Sequence, residues 1–260
     1  MDLGIKGKCT LVTGGSHGIG RAIALALAEE SCNVAICARN KERVEQTVAE
    51  LKAKGIDSIG ISADVLIPED IDRVMKTVID AWGTIHILVN NVGGGGRWGS
   101  DIVEETSESV WLDVYSKNAL AAIRFTMKAI PFMRKQKWGR VVTISSTCGR
   151  EGGGRPWFSM AKTAEISLMK TLAMNPALAR DDITFNSVAP GAISIPDTGW
   201  EEEQTQNPEK FQKLVDSQFP LGRLGTPEEV ANVVAFICSE KASLVNGASI
   251  LVDGGESRSF

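Results

Sequence analysis

Seven short apolar runs, separated by longer segments with helical periodicity, follow one another along the chain and limit what it can fold into. They read "CTLVTG", "NVAICA", "SIGISADV", "IHILVNN", "RVVTISS", "TFNSVAP" and "SILVDGG". Alternating strands and helices build βαβ units, whose strands lie side by side in a parallel sheet. The runs are nearly continuous in apolar residues, which is typical of strands covered on both faces. We therefore predict one α/β domain over residues 1–260, a doubly wound parallel sheet of about seven strands with helices on both faces.

The composition narrows the classes of partner. With 43% hydrophobic and 23% charged residues, the 260-residue chain can bury one large core. Its formal charge is -4 and no dense basic run occurs, which argues against nucleic acid or an anionic membrane as partner. We find neither an apolar stretch of membrane-spanning length nor a signal-peptide pattern, so we expect a cytoplasmic protein whose partners are a small-molecule substrate and copies of itself.

The five cysteines are odd in number and scattered along the chain. They lack the paired spacing of metal ligands, so the sequence predicts neither a disulfide framework nor a metal site.

The segment "TGGSHGIG", from Thr13 to Gly20, joins the first predicted strand to a helix that begins "IGRAIALALAEE". Glycines allow the backbone to turn tightly and to approach a pyrophosphate, and the free N–H groups at the helix start attract its charge. Because the glycine pattern lies between the first strand and first helix of a βαβ unit, it indicates a dinucleotide site.

Several motifs together resemble one family. "TGGSHGIG", "ADV" (63–65), "NNVG" (90–93), "ISS" (144–146), "PGAI" (190–193) and the stretch from "PLGRLGTPEE" to "LVDGG" are similar in order and spacing to the short-chain dehydrogenase/reductases. The resemblance covers essentially the whole chain. It implies a single Rossmann-type domain, a nicotinamide dinucleotide and a homo-oligomer, either a dimer or a tetramer.

With the glycine loop, the resemblance gives a set of candidate cofactor contacts, in which Asp64 would meet the adenine. They are Thr13, Gly14, Ser16, His17, Gly18, Ile19, Gly20, Arg39, Asp64, Val65, Asn91, Gly93, Lys162, Pro190, Gly191 and Ile193.

The end of the second strand favours one dinucleotide. A carboxylate there would bind the ribose 2′-hydroxyl and repel a 2′-phosphate, whereas an arginine accepts that phosphate. The chain has Ala38 and Arg39 at this point. We therefore predict NADP(H) in preference to NAD(H), with His17 as a second contact.

The catalytic residues that the resemblance implies are Asn118, Ser146, Lys162 and a tyrosine four residues before the lysine, where this chain has Phe158. A spacing of four places Phe158 and Lys162 on one helix face, but a phenyl ring has no proton to give. The chain departs from the family elsewhere as well. "FSMAK" carries Met160 and Ala161 where small residues, Ala then Ser, are usual, and Ile195 occupies the place of a threonine that meets the cofactor.

Four side chains are candidates for a replacement proton donor: Tyr115, Cys148, Glu151 and Lys162. Burial would raise the pKa of a carboxyl or lower that of a lysine towards neutrality. Each candidate also has a plain structural interpretation, as a packed ring, a core thiol, a solvated loop carboxylate or a ribose contact.

Two glycine-rich loops, "NNVGGGGRWGS" and "GREGGGRPW", follow the fourth and fifth strands, where open α/β sheets bind ligands. Guanidinium groups bind anions and tryptophan rings pack on sugars, so an anionic or sugar-like substrate is expected. The alternative is that these loops are flexible surface whose arginines lie in water. The irregular segment 194–219 is predicted to be a substrate lid. The candidate substrate contacts are Arg97, Trp98, Cys148, Glu151, Arg155 and Trp157, with Arg150 as a further cation.

Three functions fit this sequence. The first is an NADP(H)-dependent oxidoreductase that acts on a carbonyl or secondary alcohol with a non-standard proton donor. The second is a dinucleotide-binding sensor or scaffold without turnover, which the loss of the phenol favours. The third is a Tyr-to-Phe inactivated form of an ordinary enzyme.

Overall fold

Seven parallel strands form one sheet in the computed structural model, which describes residues 2–260. Their order across the sheet is β3-β2-β1-β4-β5-β6-β7. The predicted doubly wound, single-domain α/β fold is confirmed. The strands are β1 Cys9–Thr13, β2 Asn33–Ala38, β3 Ser58–Ser62, β4 Ile87–Asn90, β5 Gly139–Ile144, β6 Ile183–Pro190 and β7 Ser249–Val252.

Ten α-helices connect and cover these strands in the described part of the chain. They are α1 Gly18–Glu29, α2 Lys41–Ala53, α3 Pro68–Trp82, α4 Glu108–Tyr115, α5 Ala121–Gln136, α6 Pro156–Ala173, α7 Pro176–Ala179, α8 Gly199–Gln206, α9 Pro208–Gln218 and α10 Pro227–Ile237. A π-helical segment, Ser116–Leu120, lies between α4 and α5, and a short 3-10 turn, Thr147–Gly149, follows β5.

The helices build one apolar core on each face of the sheet. Because side chains alternate along a strand, Leu11 and Val12 of β1 enter opposite cores. Val12 packs in the core that α1 and α10 cover, and Leu11 packs in the core that α3 and α5 cover. None of the helices within residues 2–260 combines the length and apolar content that crossing a membrane requires.

Prolines and caps in the sequence mark where helices begin. Pro68, Pro156 and Pro227 stand at the first positions of their helices, where a missing N–H costs nothing. The Thr226 side chain accepts from the Glu229 N–H, and Glu229 accepts from the Thr226 N–H in return, which forms a capping box for α10.

The strand order reverses at β1, and the crevice between β1 and β4 opens at that point. The Thr13 hydroxyl oxygen accepts from the backbone N–H groups of Asn91 and Val92, at 3.0 and 3.1 Å. The Asn91 amide donates to the carbonyl oxygens of Thr13 and Gly14, at 2.9 and 3.2 Å. These bonds hold the ends of the two strands together and fix the floor of the crevice.

The segment 194–219, predicted as a lid, folds into α8 and α9 over a small apolar cluster of its own. Val215, Phe219 and Leu224 are buried in this cluster, and Trp200 and Phe211 pack against them. Its role as a substrate lid stays a prediction.

We expect Thr13→Val to lower the free energy of unfolding by about 1–3 kcal/mol, because it leaves two part-buried backbone N–H groups without an acceptor. Thr10→Val is the matched control, since Thr10 is buried on the same strand and its hydroxyl has no hydrogen-bond partner among the described residues. Urea unfolding of both variants measures the difference. Equal losses for the two would contradict the assigned role of the Thr13 hydroxyl.

Candidate active site

A first cleft of about 390 Å³ lies over the carboxyl ends of β1, β2 and β4, and we call it the glycine-loop cleft. The predicted cofactor residues Gly14, Ser16, His17, Arg39, Asp64, Val65, Asn91 and Gly93 line it. Gly14 and Gly18 have φ values of +66° and +52°, which side chains rarely adopt. A Cβ on Gly20 would lie 2.3 Å from the Gly14 carbonyl oxygen, so only glycine fits there. The loop thus presents the N-terminus of α1 to an anion.

Cationic side chains gather at the β2 end of this cleft. Arg39 is exposed, and its guanidinium forms no salt bridge within residues 2–260. Arg43 pairs with Asp197 at 2.9 Å, and the Lys117 ammonium lies 4.8 Å from the centre of the Trp98 ring. Burial and the neighbouring Arg39 lower the pKa of Lys117, while Asp64 opposes the shift. Sequence reasoning missed both Arg43 and Lys117 as members of this site.

A second cleft of about 470 Å³ continues from the glycine loop towards β5 and α6, and we call it the Ser146 cleft. Three of the four predicted catalytic residues, Ser146, Phe158 and Lys162, line it together. The other lining residues include Gly18, Ile19, Gly20, Ile144, Pro190, Gly191, Ile193, Ile195, Thr198 and Trp200.

Ser146 lies just beyond β5, where its side chain caps the turn Thr147–Gly149. Its Oγ accepts from the Cys148 N–H at 3.2 Å. That bond uses an oxygen lone pair and leaves the hydroxyl proton free to be donated to a ligand. The neighbouring Ser145 hydroxyl donates to the Lys162 carbonyl oxygen at 2.9 Å, which ties the end of β5 to α6.

Asn118 lies in the π-helical segment, behind the Ser146 cleft. Its amide donates to the carbonyl oxygens of Gly94 and Val114, at 2.8 and 2.7 Å, and its Oδ1 accepts from the Gly94 N–H at 3.1 Å. A Cβ on Gly93 would lie 2.7 Å from Asn118 Oδ1 and 2.9 Å from Lys162 Nζ. Both side chains therefore close on the backbone at Gly93. A π-helical turn is frequently found at functional sites, and no pattern in the sequence predicted this one.

The Lys162 ammonium is buried and has three acceptor atoms on its protein side. Nζ donates to the Ile144 carbonyl oxygen at 2.9 Å and to Glu165 Oε2 and Oε1, at 3.1 and 3.3 Å. Burial raises the pKa of Glu165 to about 7, and the Lys162 charge opposes part of that rise. Sequence reasoning missed Glu165, although its spacing of three from Lys162 on one helix was a usable signal.

Phe158 lies one helical turn before Lys162 and presents its ring to the same cleft. The ring centre is 5.8 Å from Lys162 Nζ. Val114, Trp157 and Ala161 form the small apolar cluster against which the ring packs. The wall of the cleft at this point is hydrocarbon beside an ammonium.

Three of the four candidate replacement donors line neither cleft. Tyr115 and Cys148 are half-buried and line neither the glycine-loop cleft nor the Ser146 cleft. Glu151 accepts from the Arg258 N–H at 2.8 Å and also lines neither cleft. Lys162 is the candidate that the structure places in the Ser146 cleft.

The tryptophans predicted to contact substrate lie elsewhere. Trp157 is fully buried and packs edge-on against Trp111, with ring centres 5.3 Å apart, because it points away from the face that carries Phe158. Trp98 lines the glycine-loop cleft beside Lys117 rather than the Ser146 cleft. Instead, Trp200 of α8, which the sequence did not indicate as a substrate contact, lines the Ser146 cleft.

The three arginines proposed to attract an anion all have protein partners. Arg155 donates to the carbonyl oxygens of Arg97 and Trp98 and to Asp101, which fixes the loop after β4. Arg97 pairs with Glu203 at 3.0 Å. Arg150 bonds the backbone at Ser249 and the C-terminal residues. The reason for expecting an anionic substrate is therefore absent from the cleft.

The segment 194–219 is anchored to the glycine loop and its surroundings. His17 Nε2 donates to the Pro196 carbonyl oxygen at 3.0 Å, and Ile195 lies against Gly18. Together with the Arg43–Asp197 pair, these contacts place α8 over the junction of the two clefts. His17 thus contacts this segment in addition to lining the glycine-loop cleft.

The chain is similar to known reductases over nearly its full length. Residues 14–257 match a family model described as enoyl-(acyl carrier protein) reductase. The 3-oxoacyl-[acyl-carrier-protein] reductase of Staphylococcus aureus is 38% identical over 250 residues, which is 95% of this chain and 97% of that protein.

Two solved structures extend the similarity to the fold. The L-sorbose reductase of Gluconobacter frateurii, complexed with NADPH and L-sorbose, has a TM-score of 0.92 at 32% identity, with 100% of both chains covered. Actinorhodin polyketide ketoreductase with NADPH has a TM-score of 0.89 at 31% identity, with 97% of this chain and 98% of that chain covered.

We expect Gly93→Ala to weaken binding of NADPH by about tenfold or more, because the new methyl group displaces Asn118 and Lys162 from the wall that both clefts share. Gly152→Ala is the control, since a Cβ there meets nothing within 4 Å. Titration of the reduced cofactor by fluorescence measures both. A dissociation constant unchanged in Gly93→Ala would show that the close packing at Gly93 is irrelevant to the site.

Proposed function

The chain belongs to the short-chain dehydrogenase/reductase family, and we propose that it transfers a hydride between NADP(H) and a ketone or secondary alcohol. The observation that carries this proposal is the Ser146 cleft. A serine hydroxyl with a free proton and a buried lysine ammonium face the same space, and that space continues into the glycine-loop cleft.

The residues present fit a dinucleotide with a 2′-phosphate. Gly14, Gly18 and Gly20 leave room at the start of α1 for a pyrophosphate, and a Cβ at any of the three would clash or be strained. Arg39 stands where a 2′-phosphate would lie, and no carboxylate occupies the end of β2 to repel it. When bound, the nicotinamide supplies or accepts the hydride. Lys162 and the loop at Gly191 would hold its end of the cofactor.

In this proposal Ser146 positions the substrate oxygen and Lys162 supplies the proton. Reduction of a ketone places negative charge on its oxygen, which an adjacent hydroxyl donor and ammonium stabilise. Phe158 has no proton to donate, and the other three candidates lie outside the cleft. The two Glu165 oxygens belong to one carboxyl group and can share one N–H of Lys162. The N–H that remains donates directly to the substrate oxygen or through one water molecule, a reach that general acids commonly use.

The substrate we propose is a neutral, sugar-like ketone or the corresponding alcohol. All three arginines considered for anion binding are engaged by protein groups. The Ser146 cleft instead offers Trp200 and Thr198 beside the phenyl ring of Phe158, which suits a ring or polyol packed on an aromatic face. A solved relative is complexed with L-sorbose, which supports this class of ligand.

Self-association is part of the same proposal. Leu112 of α4 and Met127 of α5 are 58% and 67% exposed in the single chain. Large apolar side chains on neighbouring helices are what a homo-oligomer interface would cover.

We expect Arg39→Ala to raise the dissociation constant for NADPH by about tenfold or more, since a hydrogen bond to a charged phosphate contributes about 1.5–3 kcal/mol. The dissociation constant for NADH stays within about twofold, because that cofactor has no 2′-phosphate. Arg180→Ala, an exposed arginine after α7, is the control. An equal loss for both cofactors would refute the assignment of Arg39.

We expect the protein to reduce a keto-sugar with NADPH, and Phe158→Tyr to raise kcat/KM by less than about 10²-fold, the usual lower bound for a general acid. Lys162→Met should lower it by at least about 10²-fold in the Phe158 protein. Phe236→Tyr on α10 controls for an added phenol. Absorbance of the reduced nicotinamide follows turnover across keto-sugars, phosphorylated sugars, keto-acids and simple ketones.

The other outcomes identify the alternatives. Activity only in Phe158→Tyr would mean that the chain is an inactivated form of a tyrosine-dependent enzyme. Tight NADPH binding without turnover in either protein would mean a sensor or scaffold. Turnover of phosphorylated sugars or keto-acids alone would overturn the neutral substrate.

A further inference from the structure

Glu165 is a buried carboxyl that has no role in the proposed reaction as described above. Its side chain is 1% exposed, and that of Lys162 is 5% exposed. The two carboxyl oxygens lie 3.1 and 3.3 Å from Lys162 Nζ. The Glu165 carboxyl therefore lies in the protein interior and contacts the Lys162 ammonium on the cleft wall.

Most of the elements that pack around this pair bring no charged side chain to it. The strand β6, the turn Thr147–Gly149 and α7 pack on α6 and contain no charged residue. On β5 the single charge is Arg140, which bonds Asp182 at the opposite edge of the sheet. Glu108 and Asp113 of α4 are exposed to solvent.

Lys117, on the π-helical segment, is the remaining neighbour. Its ammonium acts on Lys162 from the glycine-loop cleft, and the repulsion contributes to its own lowered pKa. The protonation of Glu165 is thus set by its burial and by Lys162. An ion pair that is buried this deeply is weak evidence for a role in stability, because desolvation offsets the attraction.

We propose that Glu165 is the proton reservoir of the site, which reloads Lys162 when the ammonium gives its proton to the substrate oxygen. This inference rests on the proposed function, in which Lys162 is the proton donor. Glu165 touches neither substrate nor cofactor, so its role is to position and reprotonate Lys162.

The step balances in both atoms and charge. The hydride adds to the carbonyl carbon and leaves an alkoxide, whose oxygen forms an O–H bond as one N–H bond of Lys162 breaks. The nitrogen keeps that electron pair and takes the proton from the Glu165 carboxyl, which becomes a carboxylate. The pair changes from a protonated acid beside an ammonium to an ion pair, and solvent later returns one proton to Glu165.

The pKa of Glu165, raised to about 7 by burial, suits such a reservoir at neutral pH. The protonated form is the one that reduces a ketone. In the parent protein kcat/KM for reduction should therefore be constant at low pH and fall about tenfold per pH unit above pH 7. Alcohol oxidation, which needs the carboxylate, should rise through the same range.

The test compares pH profiles from about pH 5.5 to 9 in the parent, Glu165→Gln, Glu165→Asp and Glu108→Gln, with saturating NADPH. Glu165→Gln keeps the shape of the side chain and a hydrogen bond to Lys162, but cannot release a proton. We expect it to lose at least about tenfold in kcat/KM for reduction at pH 6 and to lack the inflection near 7. Glu165→Asp should restore an inflection, and Glu108→Gln should match the parent.

A second readout does not need turnover. A carboxyl whose pKa is raised on folding binds its proton more tightly in the folded state, so its contribution to stability falls as pH rises from about 4.5 to 7. Urea unfolding should show this loss in the parent relative to Glu165→Gln across that window. Parallel stability curves for the two proteins would overturn the inference, whatever the kinetics.

The two proposals fail in different ways. If the parent turns over a ketone and its pH profile coincides with that of Glu165→Gln, the reservoir is wrong and the proposed function stands. If neither the parent nor Phe158→Tyr turns over any ketone, the proposed function is wrong and the reservoir falls with it, even where unfolding shows that Glu165 titrates.

Discussion

Burial of the Lys162 ammonium is the physical constraint on which the rest of the site depends. Removing such a charge from water costs several kcal/mol unless acceptors surround it closely. The Ile144 carbonyl oxygen at the end of β5 and the Glu165 carboxyl provide those acceptors. The Ser145 hydroxyl then fixes the backbone of Lys162 itself, so the ammonium and the end of the strand move as one unit. Because Gly93 carries no Cβ, the end of β4 can close on the opposite side.

The two clefts meet at the reversal of strand order, and the glycine loop belongs to both. Gly14 and Gly93 line the first cleft, Gly18 and Gly93 line the second, and the segment 194–219 crosses the junction. The Arg43–Asp197 salt bridge joins this segment to the first cleft. Arg43 lies at the cationic end of the first cleft while its partner lies beside α8, so an anion that attracts Arg43 competes with Asp197.

The period of the apolar runs was enough to predict the sheet, and the glycine loop was enough to place the crevice, because both depend on local chemistry repeated along the chain. The direction in which a single side chain points was harder to predict. Trp157 precedes Phe158 by one residue, and about 100° of helical rotation separates the interior from the cleft. The arginines were read as free cations because their partners, such as Glu203 for Arg97, lie about a hundred residues away. Lys117 lines the first cleft from the π-helical segment, which no sequence pattern predicted. Glu165 could have been predicted, because it follows Lys162 by three residues on α6.

The Lys162–Glu165 pair also bears on what a tyrosine at position 158 could do. A lysine lowers the pKa of a nearby phenol through its positive charge, and the effect depends on that charge being uncompensated. When Glu165 is ionised, a ring at 158 faces a pair of net charge zero, with the carboxylate 3.1 Å from the ammonium. A phenol placed there would keep a pKa closer to its usual value than it would beside a lone lysine. When Glu165 is protonated, the Lys162 charge is uncompensated and would lower the pKa of such a phenol. Phe158 is consistent with the pair for a different reason, because a site that takes its proton from Lys162 and Glu165 needs no phenol.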